Sequence, residues 1–261
     1  MMDKQHFEAR RERLRPLMRK AGLSALLVTL DANRFYLSGF ELQDAQANES
    51  SGCLIVTLSG KDWLCTDPRY LDAARRLWDE ERIFIYRGNG MEQVNGLLKE
   101  QVSGQIGFEA QNISVAAFEH VSAGLSLQRA DGMIEALRAI KEPQELACLE
   151  KSCALNHRLM EWAPGILVPG RTERQAAWDI EQFFRNHGAE GLSFSSIVAV
   201  DGNAALPHAE PGDTLITENC GVLVDARDGE AGAGVDLKRV AAVLDAEPLL
   251  GAADLGLLQW A

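Results

Sequence analysis

Through its first 130 residues the chain alternates long amphipathic segments with short apolar runs. That alternation points to an α/β domain with a mixed sheet covered by helices. Residues 4–21 carry Phe7, Leu14, Leu17, Met18 and Ala21 at helical spacing and stop at Gly22. Leu23–Thr29 is a short strand run. Cys53–Leu58 and Trp63–Thr66 flank Ser59-Gly60 as a hairpin would. Helical patterns over 71–78, 91–102 and 114–124 alternate with strand patterns over 82–86 and 105–109.

The pattern changes near residue 131. Met133–Ile140 reads as a short helix, and Glu142-Pro143 opens a longer one that runs to about Trp162. Thr172 is a candidate N-cap for a helix that stops at Gly188. Strand patterns follow at Ser195–Val200, Gly221–Ala226 and Gly234–Val240. This divides the chain into residues 1–132 and residues 133–261, without a low-complexity linker between them.

Composition narrows the function classes. Hydrophobic residues make up 46% and charged residues 25%, the proportions of a globular chain. Thirty-eight acidic against 26 basic residues leave a net charge of −12, which repels phosphate backbones and argues against nucleic-acid binding. Seven Lys or Arg fall in the first twenty positions, and helical spacing makes them the expected solvated face of a helix. No apolar leader core and no run of 18 apolar residues occurs, so the expectation is a cytoplasmic protein without a membrane partner. Five cysteines, an odd number without CxxC spacing, do not make a disulfide framework.

Two aspartates stand out. Gly221-Val-Leu-Val-Asp225 is an apolar strand ending on a carboxylate, a turn-rich segment follows it, and a second strand pattern starts at Asp236. A hairpin centred on Glu230-Ala231 would set Asp225 opposite Asp236. Facing carboxylates repel in a sheet, and a shared cation removes that cost. The bland alternative is a pair of hairpin-end aspartates turned to water, and a bulge would break the register. His208, on the loop after the strand at 195–200, could polarise a carbonyl or hold a substrate carboxylate. It could equally be an ordinary loop histidine. His6, His120, His157 and His187 fall on predicted helices and read as structural. Gly229-Glu-Ala-Gly232-Ala-Gly234 lacks the following helix that a phosphate loop needs.

These residues and their surroundings resemble the pita-bread metallopeptidases, in the branch of Xaa-Pro aminopeptidase and Xaa-Pro dipeptidase (prolidase). Asn33-Arg-Phe-Tyr-Leu-Ser-Gly-Phe40, Thr66-Asp-Pro-Arg-Tyr70, Ile106-Gly-Phe-Glu109 and Arg138-Ala-Ile-Lys141-Glu-Pro-Gln-Glu145 all have family counterparts. So do Ser193-Phe-Ser-Ser-Ile-Val198 and Ala205-Leu-Pro-His208-Ala. The resemblance implies a creatinase-like N-terminal α/β domain followed by a pita-bread domain. It implies two divalent metals, Mn²⁺ first with Zn²⁺ or Co²⁺ as alternatives, and a proline-containing peptide as substrate. It places two metal carboxylates on Asp225 and Asp236 and the substrate-binding histidine on His208. A homodimer is one assembly open to such a chain, and the sequence does not give the oligomeric state.

The sequence also departs from that pattern. Gly232-Ala233 and Val235 stand where the family has Gly-Tyr and Ser, and Lys238-Arg239 follows the second aspartate in place of Thr-Arg. After Asp236 there is no histidine, and the later acids are only Asp245, Glu247 and Asp254. Two aspartates offer at most four oxygens, whereas a hard divalent ion takes about six ligands. The expectation is therefore a C-terminally truncated, frame-shifted or degenerate relative with an incomplete pita-bread domain and little turnover. A non-catalytic self-association or partner-binding module built on the N-terminal domain is the rival reading. A creatinase-like amidinohydrolase is a weaker one, since that branch does not use the metal carboxylates.

Overall fold

The computed structural model describes residues 4–40 and 50–229. The chain divides into two compact units between Lys141 and Glu142. The first holds a six-stranded mixed sheet built from β1 (Ala25–Val28), β2 (Cys53–Thr57), β3 (Trp63–Thr66), β4 (Ile83–Ile85), β5 (Ile106–Phe108) and β6 (Leu127–Arg129), in the order β4-β3-β2-β1-β5-β6. β1, β2 and β3 are antiparallel neighbours, and β4, β5 and β6 add in parallel. The expected hairpin is present, with Cys53 opposite Cys65 and Ile55 opposite Trp63. All five cysteines are free thiols.

Both faces of this sheet are covered, which is why β1 and β2 read as unbroken apolar runs rather than alternating ones. Leu26, Val28, Leu54, Val56 and Leu64 face α1 (Lys4–Lys20), α2 (Asp31–Ser38), α3 (Leu71–Leu77) and α6 (Met133–Ala139). Ala25, Leu27, Cys53, Ile55 and Cys65 face the other way, against α4 (Gly90–Gln101) and α5 (Val115–Ser122). The helix at 133–139, placed in the second half by its sequence pattern, packs on α1 and α2 of the first unit. Among the described residues no helix is long and apolar enough to cross a membrane.

The quoted motifs that hold Asn33, Gly39, Gly107, Glu109 and Arg138 supply joints of this unit. Gly39 ends α2 in the left-handed conformation, and a Cβ there would lie 2.5 Å from the Phe7 ring. A Cβ on Gly107 would lie 2.7 Å from Leu23. Glu109 is buried and accepts the backbone N–H groups of Thr29 and Leu30 and the Asn33 amide at 2.6–2.7 Å. Asn33 in turn donates to Glu135 and accepts from Arg138, each at 2.7 Å. Burial pushes the Glu109 carboxyl above its ordinary range, against the pull of those donors.

The N-terminal basic cluster is the expected solvated face only in part: Lys4, Arg13, Arg19 and Lys20 are exposed. Arg10 and Arg15 are buried. Arg10 lies 4.0 Å over the Tyr36 ring and donates to the Tyr36 carbonyl oxygen. Arg11 and Arg15 both donate to Asp62, at 2.8 and 2.7 Å, and Asp62 also accepts the Thr57 N–H. A guanidinium carries an apolar stem and planar donors, so it goes inside wherever an acceptor and an aromatic face await it.

In the second unit, α7 (Pro143–Trp162) and α8 (Glu173–Asn186) cover one face of a twisted ribbon. α8 starts at Thr172 with a capping box to Gln175. It buries Ala176, Ile180, Phe183 and Phe184, one stripe at helical spacing. The ribbon has two antiparallel ladders. β8 (Ile197–Val200) pairs with β9 (Val222–Asp225), and β7 (Gly191–Leu192) pairs with β10 (Asp228–Gly229). Between the ladders, residues 193–196 on one side oppose only 226–227 on the other, so the ribbon bulges there. Within the segment read as turn-rich, Asp228–Gly229 pairs as a short strand, while 226–227 lie between the two ladders.

Replacing Asp62 with alanine leaves the buried Arg15 and the half-buried Arg11 guanidinium groups short of their acceptor. Asp62→Ala should cost about 3–5 kcal/mol, read as a lowered urea midpoint. An unchanged midpoint would mean that Arg11 and Arg15 find other acceptors.

Candidate functional site

The second unit's ribbon separates its side chains by face. Val222, Val224, Ala226 and Asp228 are buried, while Leu223, Asp225 and Arg227 alternate with them and are half-buried. The inward set meets the helices: Val222, Val224 and Ala226 join the core with Ile180 and Phe184. Asp228 accepts from the Ser152 hydroxyl at 2.6 Å and the Asn156 amide at 3.1 Å. Strand alternation therefore turns Asp225 to the opposite face from the α7–α8 core, at the last position of β9 and opposite Ile197.

His208 follows the 3-10 turn Asp201–Ala205, which leaves β8 at Val200. The imidazole is exposed, and the residue holds a left-handed backbone with φ 54°. Non-glycine residues adopt that conformation only when their surroundings fix it. Val200 pairs with Val222 at the far end of the β8–β9 ladder from Asp225. Asp225 and the root of the His208 loop thus share one short ladder but leave it at opposite ends, about 10 Å apart along the strand. The ladder alone does not bring the two side chains together, so the loop's own path decides where His208 points.

Asp236 lies outside the described residues. Asp225 supplies a hard oxygen donor of the kind a divalent cation prefers. Among the described residues, however, no three His, Cys, Asp or Glu side chains gather as a metal site. The other histidines are accounted for. His6 and His120 are in α1 and α5, His157 lies 3.4 Å from Glu161 on α7, and His187 donates from Nδ1 to the Phe183 carbonyl oxygen at the end of α8.

Sequence reading missed Glu173. This first residue of α8 is fully buried and accepts from the Val200 N–H at 2.8 Å, from the Asn203 amide at 2.9 Å and from the Gly212 N–H at 2.9 Å. Burial works against its ionisation. The three donors outweigh that and hold its carboxyl below the ordinary glutamate value of 4.5. The only signal in the sequence was an acid directly after a candidate N-cap, which reads as a helix-dipole partner rather than a loop anchor.

Comparison with known proteins adds the family context. The Creatinase/Prolidase N-terminal domain family matches residues 10–140, and metallopeptidase family M24 matches residues 147–247. Among curated proteins, "Uncharacterized peptidase YqhT" of Bacillus subtilis is 27% identical over 235 residues, which cover 89% of this chain and 64% of its own. Among solved structures, the Xaa-Pro dipeptidase from Bacillus anthracis superposes with a TM-score of 0.78 at 24% identity, covering 90% of this chain and 64% of that one. The X-Pro aminopeptidase from Thermotoga maritima gives 0.70 at 22% identity, covering 87% and 64%. At these identities the structural likeness is one of fold. The chain spans just under two thirds of the length of these relatives.

The lowered Glu173 carboxyl fixes the sign of one pH effect. The folded value lies below the unfolded one, so the stability it contributes is complete above about pH 4.5 and is lost as pH falls through the folded value. Urea midpoints measured from pH 3 to 7 should show a steeper acid limb for the natural protein than for Glu173→Gln. Parallel limbs would show that the carboxyl is not depressed.

Proposed function

The chain belongs to the creatinase/prolidase and M24 metallopeptidase family, and from that premise we propose that it is by descent a cytoplasmic Xaa-Pro metallopeptidase. The reaction class is hydrolysis of the peptide bond before proline. The observation that carries the reading is the placement of Asp225. It is a carboxylate at the end of an M24-matching strand, turned away from the helical core and preceded by the His208 loop.

Asp225 and Asp236 would hold divalent metal, with Mn²⁺ first. Bound metals supply a nucleophilic water at neutral pH and polarise the scissile carbonyl. His208, exposed on its loop, would bind the substrate through a hydrogen bond to a carbonyl or carboxylate oxygen. The two carboxylates leave most of a hard ion's coordination to water. Weak metal binding and little turnover are expected of the 261 residues by themselves.

A second reading is favoured by the completeness of the first unit. Its sheet is covered on both faces and has a core on each. Such a unit can serve as a self-association or partner-binding module without any chemistry from the second.

Calorimetric titration with Mn²⁺ and an assay of Xaa-Pro peptide cleavage test the first reading together. Asp225→Ala should abolish the metal-binding heat and lower any Mn²⁺-dependent turnover by at least about 100-fold. His208→Ala should raise KM while leaving the metal titration unchanged. Metal binding and turnover indifferent to Asp225→Ala would remove the metallopeptidase reading for this chain.

A further inference from the structure

The His208 loop is gripped from both sides by one side chain. Glu173 Oε1 accepts the N–H of Val200, the last residue before the loop, and the Asn203 amide within it. Oε2 accepts the N–H of Gly212, four residues beyond His208. The same helix end takes hold of the returning chain through its own backbone. The N–H of Glu173 donates to the Thr214 carbonyl oxygen at 3.1 Å, and that of Arg174 to the Gly212 carbonyl oxygen at 3.0 Å. Two of the first-turn N–H groups that a helix leaves without internal partners are thereby spent on the loop. Asn203 adds a bond to the Thr214 hydroxyl at 3.1 Å, joining the two arms of the loop directly. Asp201 closes the root, accepting the Gly221 N–H at 2.8 Å on its side chain and donating its own N–H to the Gly221 carbonyl oxygen at 2.9 Å.

Packing alone does not require this arrangement. A loop can be packed by apolar contacts, and a buried carboxylate is costly unless its oxygens are satisfied. A carboxylate with two fixed oxygens adds directional contacts at three defined points, one before His208, one on the turn leading to it and one after it. Those contacts restrict the path between Val200 and Gly212, and with it the left-handed backbone at His208.

We propose that Glu173 is a positioning residue for His208, its carboxylate clamping both arms of the 200–212 loop so that the imidazole is presented in one fixed orientation. This rests on the reading of His208 as the substrate contact, and the test separates the two.

The experiment follows the histidine ring signals by NMR in the full 261-residue chain, with His208→Ala assigning the His208 resonance. Glu173→Gln keeps the side-chain size but sets an amide NH₂ against one of the three donors. It should shift or broaden the His208 signals while those of His6, His120, His157 and His187 stay in place. Amide exchange over residues 201–212 should accelerate by at least about tenfold. Asn203→Ala removes one donor only and should move the same signals less; it decides the matter if Glu173→Gln does not fold. Unchanged His208 signals and unchanged exchange in either folded variant would overturn the proposal. Binding of an Xaa-Pro dipeptide, measured alongside, tests the underlying reading. If His208→Ala leaves dipeptide binding intact, the histidine is not the substrate contact, whatever the signals show about the clamp.

Discussion

A buried carboxylate must be met by hydrogen-bond donors, and this protein uses that requirement at four of its joints. Asp62 gathers Arg11, Arg15 and the Thr57 N–H, which ties α1 to the β2–β3 turn. Glu109 gathers Thr29, Leu30 and Asn33 at the end of β1. Asp228 joins β10 to α7 through Ser152 and Asn156. Glu173 joins α8 to the loop that carries His208. In each case the donors come from segments distant in sequence. Satisfying one acid therefore fixes the relation between two or three elements at once, which apolar contact alone does less sharply.

The same requirement gives the recognisable sequence segments a physical meaning. Asn33, Glu109 and Arg138 sit in three separate motifs, and the structure makes them one network with Glu135. Arg34, next to Asn33, is buried and donates to the Gly52 carbonyl and the Ser51 hydroxyl, tying α2 to the start of β2. Gly39 and Gly107 stand where a side chain would strike Phe7 or Leu23. These residues are the joints of a three-layer domain, and a family likeness in them is evidence of fold.

Much of this was legible in the sequence. Long amphipathic segments and short apolar runs announce themselves through their periods, so the helices at 4–20, 90–101, 143–162 and 173–186 and the β2–β3 hairpin follow from local pattern. α2 was not legible as a helix, because Leu30 offers no capping side chain and three of its five buried residues, Asn33, Arg34 and Ser38, are polar. β6 was missed because its pattern is one half-buried leucine beside two exposed polar residues. The bulge between the two ladders, and the strand at 228–229 in place of a turn, depend on which partner residues face each other.

The candidate site divides along the same line. The sequence by itself determined the alternation that sends Val222 and Val224 one way and Asp225 the other, since a strand has a fixed period of two. It also determined that an imidazole would follow that strand's neighbour on a loop. Only the tertiary structure decided that Arg10 and Arg15 go inside, and that Glu173 reaches across 39 residues to Gly212. The reason is physical. Apolar burial is scored locally by period, but a charge can be buried only if specific donors or acceptors are waiting there, and those are supplied by parts of the chain that meet only once it has folded.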